Sequence, residues 1–181
     1  MEVRMREEKV LAEAVLVYPI KHNSVLLSYK PEREEGEHKI GEGFWNGYGG
    51  GIDPGNTRRI QAVKELYEEC RLTALGADLE KAAICVFHNR MRNGEFFECR
   101  VHVYLLRIWL GKPRETYEMT NPWWVKFEKI AKMRRLMPAD SVWLPQALEG
   151  KKLHVYAWYG NYQSTLLRPV VVEKVSELQD D

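Results

Sequence analysis

Three cysteines in 181 residues, Cys70, Cys85 and Cys99, make an odd number and include no C-x-x-C pair. That argues against a secreted disulfide scaffold and a zinc knuckle, and for a reducing compartment. The five histidines have no H-x-x-x-H spacing. Neither sign of charge dominates: 27 Lys+Arg stand against 26 Asp+Glu, for a formal net charge of +1. Bulk electrostatic binding of a polynucleotide calls for a more basic chain, so nucleic acid is not expected as a partner. A small anionic ligand needs only a local site and stays open. The N-terminal stretch MEVRMREEKV has no apolar signal region. The longest apolar runs, Ala14–Ile20 and Val101–Leu110, are too short for a membrane span or carry Arg107. No internal repeat is visible. A soluble, cytoplasmic protein with no membrane partner is expected.

With 45% hydrophobic and 29% charged residues, the chain has the balance of an ordinary globular protein rather than a disordered or fibrous one. One domain over residues 1–181 is expected, with a core over about 10–167, a polar N-terminus and an acidic, loosely held tail. Residues 11–18 read as a strand, Pro19–Asn23 as a turn and Ser24–Tyr29 as the returning strand of a hairpin. Residues 30–43 are polar and glycine-bearing, hence a loop, and 44–56 form a glycine-rich turn. A helix is predicted over 57–70, strands at 82–88 and 99–110 about an Asn93-Gly94 turn, and a strand at Trp123–Phe127. A short helix at Phe127–Arg135, another at Leu144–Glu149 and a last hairpin, Leu153–Tyr159 with Gln163–Leu167, complete the pattern. Strands alternating with two or three helices predict an α/β or α+β fold with a mixed sheet.

The chemistry-bearing stretch runs from Gly49-Gly50-Gly51 to Lys64-Glu65-Leu66-Tyr67-Glu68-Glu69. On a helix, Glu65, Glu68 and Glu69 share one face, with Ile60, Val63, Leu66, Tyr67 and Cys70 roughly opposite. Like charges so spaced cost about 0.2–0.5 kcal/mol per pair. A solvated acidic face tolerates that cost, and a hard divalent cation bridging the carboxylates would turn it to use. Glycines just before the helix let backbone approach a ligand closely, or simply make a tight turn. The combination is more specific than either part.

Residues 50–72 resemble the Nudix box, G-x5-E-x7-R-E-U-x-E-E-x-G-U with U aliphatic. Gly50, Glu65, Leu66, Glu68, Glu69 and Leu72 match, while Asn56, Lys64 and Arg71 stand where Glu, Arg and Gly are expected. Phe44–Gly50, Met137–Trp143 and Lys151–His154 further resemble the MutT-type branch, which acts on oxidised purine nucleoside triphosphates. There Ala139 replaces an acidic residue and Met137 a stacking Trp.

The resemblance implies a Nudix-type α/β/α sandwich and a Mg²⁺-dependent hydrolase, with Mn²⁺ as a possible substitute. Its substrate would be a small nucleoside triphosphate, a modified or oxidised purine nucleotide foremost, cleaved to monophosphate and pyrophosphate. By the same resemblance, Glu65, Glu68, Glu69, the Gly49 carbonyl and Glu118 are metal ligands, and Glu69, Glu65 and Glu118 are candidate bases. Asn46, Asp140 and Trp143 fall at base-pocket positions. Each also has a structural reading: a turn Asn, a helix N-cap Asp and a core Trp. Two alternatives stay open, a hydrolase of another nucleoside-diphosphate derivative and a nucleotide-binding module that does not cleave. The oligomeric state is not legible.

Overall fold

The computed structural model describes residues 10–34, 39–90 and 94–179; residues 1–9, 35–38, 91–93 (with Asn93 of the expected turn) and 180–181 lie outside them. Apolar and β-branched residues make β1 (Val10–Lys21) and β2 (Ser24–Tyr29), the expected hairpin. Its turn is only His22–Asn23, and Pro19 belongs to the strand. Pro19 is tolerated because it falls between the β1 residues paired with Tyr48–Gly51, which end at Val17, and those paired with β2, which begin at Ile20.

The chain continues through β3 (Trp45–Asn46), β4 (Tyr48–Gly51), α1 (Arg58–Cys70), β5 (Leu79–Arg90), β6 (Phe96–Leu106), β7 (Thr120–Lys126), α2 (Phe127–Ile130), α3 (Asp140–Leu148), β8 (Lys152–Asn161) and β9 (Val171–Val175). All nine strands join one sheet in the order β3-β2-β1-β6-β5-β8-β9, with β4 on β1 and β7 on β2. β1 runs parallel to β6 and β5 parallel to β8, while the remaining pairs are antiparallel. Alternation along β1 sends Val15 and Val17 to one face, packed with Ala62, Leu66 and Cys70 of α1. Tyr18 and Ile20 join the other cluster, with Trp143, Leu144 and Ala147 of α3. The result is the α/β/α sandwich with a mixed sheet.

Other expectations change as well: the helix expected at Leu144–Glu149 begins at Asp140, and the one expected at Phe127–Arg135 ends at Ile130. Gly49–Gly51 form a paired strand rather than a turn. Gln163–Leu167 touches β8 through one bridge, Tyr159 to Leu166, and the strand that pairs with β8 is β9. The acidic tail is therefore partly held: Glu173–Val175 lies in β9, and Lys81 Nζ donates to the Gln179 carbonyl at 2.6 Å.

At the start of α1 the cap is Thr57, whose hydroxyl accepts from Ile60 N–H at 3.2 Å, not Asn56. Arg71 ends the helix in the left-handed conformation, φ 64° and ψ 19°, donating its N–H to the Tyr67 carbonyl. A side chain there costs about 1–2 kcal/mol, and the guanidinium lies 5.3 Å from the Tyr67 ring centroid. Arg71→Gly removes that strain but loses more chain entropy on folding, roughly 0.5–1 kcal/mol. A net stabilisation of up to about 1 kcal/mol is expected in urea denaturation. A destabilised variant would show that packing on Tyr67 outweighs the backbone cost.

Candidate active site

β4 is hydrogen-bonded to β1 on one side and packs against α1 on the other. A Cβ on Gly49 would lie 1.9 Å from the Val15 carbonyl oxygen, and one on Gly50 only 2.8 Å from Glu65 Oε1. Only glycine permits the first approach, to backbone, and glycine at position 50 leaves the Glu65 carboxylate its place against the strand. Gly49 N–H donates to Glu69 Oε2 at 2.8 Å.

The three helix carboxylates do not share one environment. Glu69 is buried, with 6% exposed, Glu65 is half-buried and Glu68 is exposed. Conversely, Ile60 and Tyr67 are 56% and 51% exposed. The buried face runs through Gln61, Ala62, Leu66, Glu69 and Cys70, because the glycine strand accepts a polar neighbour where a wheel of apolar residues would not place one. Burial pushes the Glu69 carboxyl up to about 8, against the Gly49 hydrogen bond and the nearby Lys30 ammonium. Glu65 is raised as well, by burial first, opposed by a hydrogen bond from Gln61. Glu68 lies 3.9 Å from Lys64 Nζ, which holds Asp53 at 2.5 Å.

Glu118, on the loop before β7, is exposed and 3.5 Å from Lys39 Nζ. Its charge nonetheless reaches Glu65, Glu69 and Lys30. The same loop is tied to the 30–34 segment by Arg33, which donates to the Tyr117 carbonyl at 3.0 Å and lies over its ring. Lys30 is a half-buried cation whose ammonium donates to the Ile40 carbonyl at 2.9 Å, and burial lowers its pKa.

A cavity of about 320 Å³ opens beside this helix. Gly49, Gly50, Glu69, Lys30 and Ile40 line it together with Asn46 and Asp140. Phe87, Phe97, Met119, Met137, Tyr159 and Gln163 supply further wall. The 30–43 loop thus contributes to the site through Lys30 and Ile40. Asn46 Nδ2 donates to the carbonyls of Phe44 and Gly41, at 2.9 and 3.2 Å.

Asp140 is not the cap of α3; that position is Ala139, and the Asp140 carboxyl turns inward. It accepts from Tyr18 O–H at 2.8 Å and from Trp143 Nε1–H at 3.1 Å. Burial pushes it up to about 7, against those two hydrogen bonds. Trp143 is fully buried, is not among the cavity's lining residues, and packs edge-on to Tyr18. Its visible work is to hold Asp140 from behind.

No family model matches the chain. An oxidized purine nucleoside triphosphate hydrolase of Danio rerio is 31% identical over 177 residues, covering 97% of this chain and 99% of that protein. The protein of the same name from Mus musculus is 31% identical over 137 residues, 76% of this chain and 80% of its own length. The chain belongs to the Nudix hydrolase family. Among solved structures, a MutT protein from Bacillus halodurans superposes with a TM-score of 0.71 at 18% identity, covering 90% of this chain and 98% of that one. A MutT protein from Methanosarcina mazei gives 0.61 at 20% identity, with 80% and 94% covered. These two show the shared fold.

As a MutT-like Nudix hydrolase the chain is an enzyme, and such hydrolases generally depend on a divalent metal. Among the described residues no three His, Cys, Asp or Glu side chains are drawn together closely enough to hold a metal ion. Two expected ligands lie beside ammonium groups instead, Glu68 near Lys64 and Glu118 near Lys39. The donor chemistry still fits a hard cation: Glu65 and Glu69 offer only oxygen, and Gly50 leaves no side chain over the Glu65 carboxylate. Among the described residues no helix is long and apolar enough to cross a membrane. Sequence reasoning passes over Lys30, Tyr18, Gln61 and Gln163. For Lys30 no local signal exists, whereas Gln61 stands one helical turn before Glu65 and could have been read from that spacing.

Asp140 yields a pH prediction. Its folded pKa, about 7, lies above its ordinary value of 3.8, so the folded protein keeps a proton that the unfolded chain has released. Stability contributed at this residue is therefore present at low pH and lost as pH rises from about 4 to about 7. Across that window the wild type should lose on the order of a few kcal/mol relative to Asp140→Asn. Urea denaturation at a series of pH values measures it, and parallel curves would exclude a proton-holding Asp140.

Proposed function

We propose that this Nudix hydrolase is a Mg²⁺-dependent pyrophosphohydrolase of nucleoside triphosphates, with modified or oxidised purine nucleotides as its foremost substrates and Mn²⁺ as a substitute cation. One observation carries the reading: the same cavity is lined by Glu69 and the glycine strand and by Asn46 and Asp140. A nucleotide combines a flat ring with a polar edge and an anionic phosphate chain, which is what those two sets of groups suit. The named activity of the Danio rerio and Mus musculus relatives supports the substrate class. Three free thiols suit a cytoplasmic setting.

At the base end, Asp140 uses one lone pair on each oxygen for Tyr18 and Trp143, so each oxygen keeps capacity to spare at a residue that lines the cavity. A carboxyl that titrates near neutrality accepts or donates, the versatility a guanine-like edge requires. Asn46 is oriented by its two bonds to backbone, and Met137, Met119, Phe87 and Phe97 supply polarizable and aromatic wall. The wall does not include Trp143, so its part is to position Asp140 rather than to stack.

At the phosphate end, Glu65, Glu69 and the Gly49 carbonyl would hold the cation, with Glu68 and Glu118 joining as they exchange lysine for metal. A bound divalent cation neutralises phosphate charge and lowers the pKa of water. Lys30 is placed to hold phosphate oxygens. Gly49 N–H fixes one oxygen of Glu69 and leaves the other to act, so Glu69 leads the candidate bases, followed by Glu65 and Glu118. The carboxylate takes a proton from water, the water oxygen bonds to phosphorus, and the bridging P–O bond breaks as pyrophosphate departs. A second reading, hydrolysis of another nucleoside-diphosphate derivative such as a dinucleotide or sugar nucleotide, rests on Ala139 and Met137 standing where the MutT-type branch has an acidic residue and a stacking Trp.

Chromatography of products from ordinary and 8-oxo purine triphosphates, a diadenosine polyphosphate and a sugar nucleotide, with Mg²⁺ and with chelator, decides between them. Metal-dependent monophosphate and pyrophosphate are expected from a triphosphate. Glu69→Gln keeps an oxygen for Gly49 N–H but loses the charge, and should lower kcat by at least roughly 100-fold with the fold intact. Unchanged turnover would overturn the role of Glu69, and product from the dinucleotide or sugar nucleotide but from no triphosphate would favour the second reading.

A further inference from the structure

We infer that Gln61 is the residue that positions Glu65, through a buried amide relay from Asn56 that stands in for the Glu and Arg missing at box positions 56 and 64. The inference rests on the hydrolase reading above only for the use made of Glu65; the relay itself is geometric. Gln61 is completely buried on α1. Its Oε1 accepts from Asn56 Nδ2–H at 2.8 Å and from Asp53 N–H at 3.1 Å. Its Nε2 donates to Glu65 Oε1 at 2.7 Å.

The direction of the amide follows from its partners. Asp53 N–H is a backbone donor and can only donate, so it demands the oxygen of Gln61 and sends the nitrogen to the other side. There Nε2 meets Glu65 Oε1, the same oxygen that lies 2.8 Å from where a Gly50 Cβ would stand. The Glu65 carboxylate is therefore held between strand backbone and the Gln61 amide, with one oxygen fixed and the second left to act.

Lysine at position 64 does not do this work. Its ammonium is 2.5 Å from Asp53 and 3.9 Å from Glu68, an exposed arrangement on the outer side of the helix. Asn56, in turn, has exchanged a carboxylate for an amide that donates inward to Gln61. The two departures are thus parts of one rewired arrangement: Lys64 serves the entry loop through Asp53, and Gln61 serves Glu65. A neutral donor orients the carboxylate without pairing off its charge in a direct ion pair, so that charge stays available to a cation.

The test uses the full chain with Gln61→Met, which is close in shape and lacks both polar atoms, and with Asn56→Ala, which removes only the relay's outer end. Mn²⁺ affinity, titrated directly without nucleotide, is read beside kcat and KM. Gln61→Met is expected to weaken Mn²⁺ binding by about 10–100-fold and lower kcat by a similar factor, with KM little changed. Asn56→Ala should move both in the same direction by a smaller factor, and Gln61→Glu, which keeps the acceptor and loses the donor, should not restore either. Wild-type Mn²⁺ affinity and kcat in folded Gln61→Met would overturn the inference. If that variant does not fold, Asn56→Ala decides: unchanged affinity and kcat there overturn it equally. A wild-type protein that binds Mn²⁺ but cleaves no nucleotide refutes the hydrolase reading alone, because the metal titration still measures the effect of Gln61.

Discussion

The site is built on the absence of two side chains. Gly49 and Gly50 let β4 lie directly against the β1 backbone and let α1 bring Glu65 and Glu69 onto that strand. A methyl group at Gly49 would meet the Val15 carbonyl at well under contact distance, so β1 and β4 would have to part, and one at Gly50 would push the Glu65 carboxylate out of its place. Once they are in register, the rest follows. Gly49 N–H fixes Glu69, Gly50 leaves room for Glu65, and the buried Gln61 finds both Asp53 and Glu65 within reach. The same approach desolvates Glu69, and that burial drives its proton affinity up.

A second polar centre sits on the other face of the sheet. Asp140 is gripped by Tyr18 from β1 and Trp143 from its own helix, so the sheet and the helix layer meet at one carboxyl. The two centres face a common cavity, although they belong to different hydrophobic clusters. β1 makes this possible. Its alternation gives Val15 and Val17 to the α1 side and Tyr18 to the α3 side, and it carries the glycine strand along its edge.

Much of this was legible in the sequence, and the remainder failed for identifiable reasons. The acidic helix announced itself through the spacing of Glu65, Glu68 and Glu69, and its boundaries were right because Thr57 and Cys70 bracket a clean periodic run. Its phase was not. A sequence wheel puts Glu69 outside and Ile60 and Tyr67 inside, whereas the glycine strand and the loop after it offer N–H groups that reward polar side chains. Gly49–Gly51 looked like a turn because glycine has no intrinsic leaning toward a strand; pairing with Ala14–Leu16 imposes one. β9 was hidden in an acidic tail, since its alternation becomes meaningful only once β8 offers an edge. Asp140 read equally well as a cap or a pocket residue, and only the distant Tyr18 decides which way it points.

The grip on Asp140 bears on which parts of the cavity wall can change independently of the fold. Truncating Asp140 to Ala leaves the Tyr18 hydroxyl and the Trp143 indole without their partner in the interior, at a cost to fold stability. Met137, Met119 and Phe97 border the same space through apolar contact. Exchanging one of them reshapes the chamber and strands no buried donor. The cavity can therefore be reshaped at its greasy wall while the buried carboxyl and its two donors stay as they are.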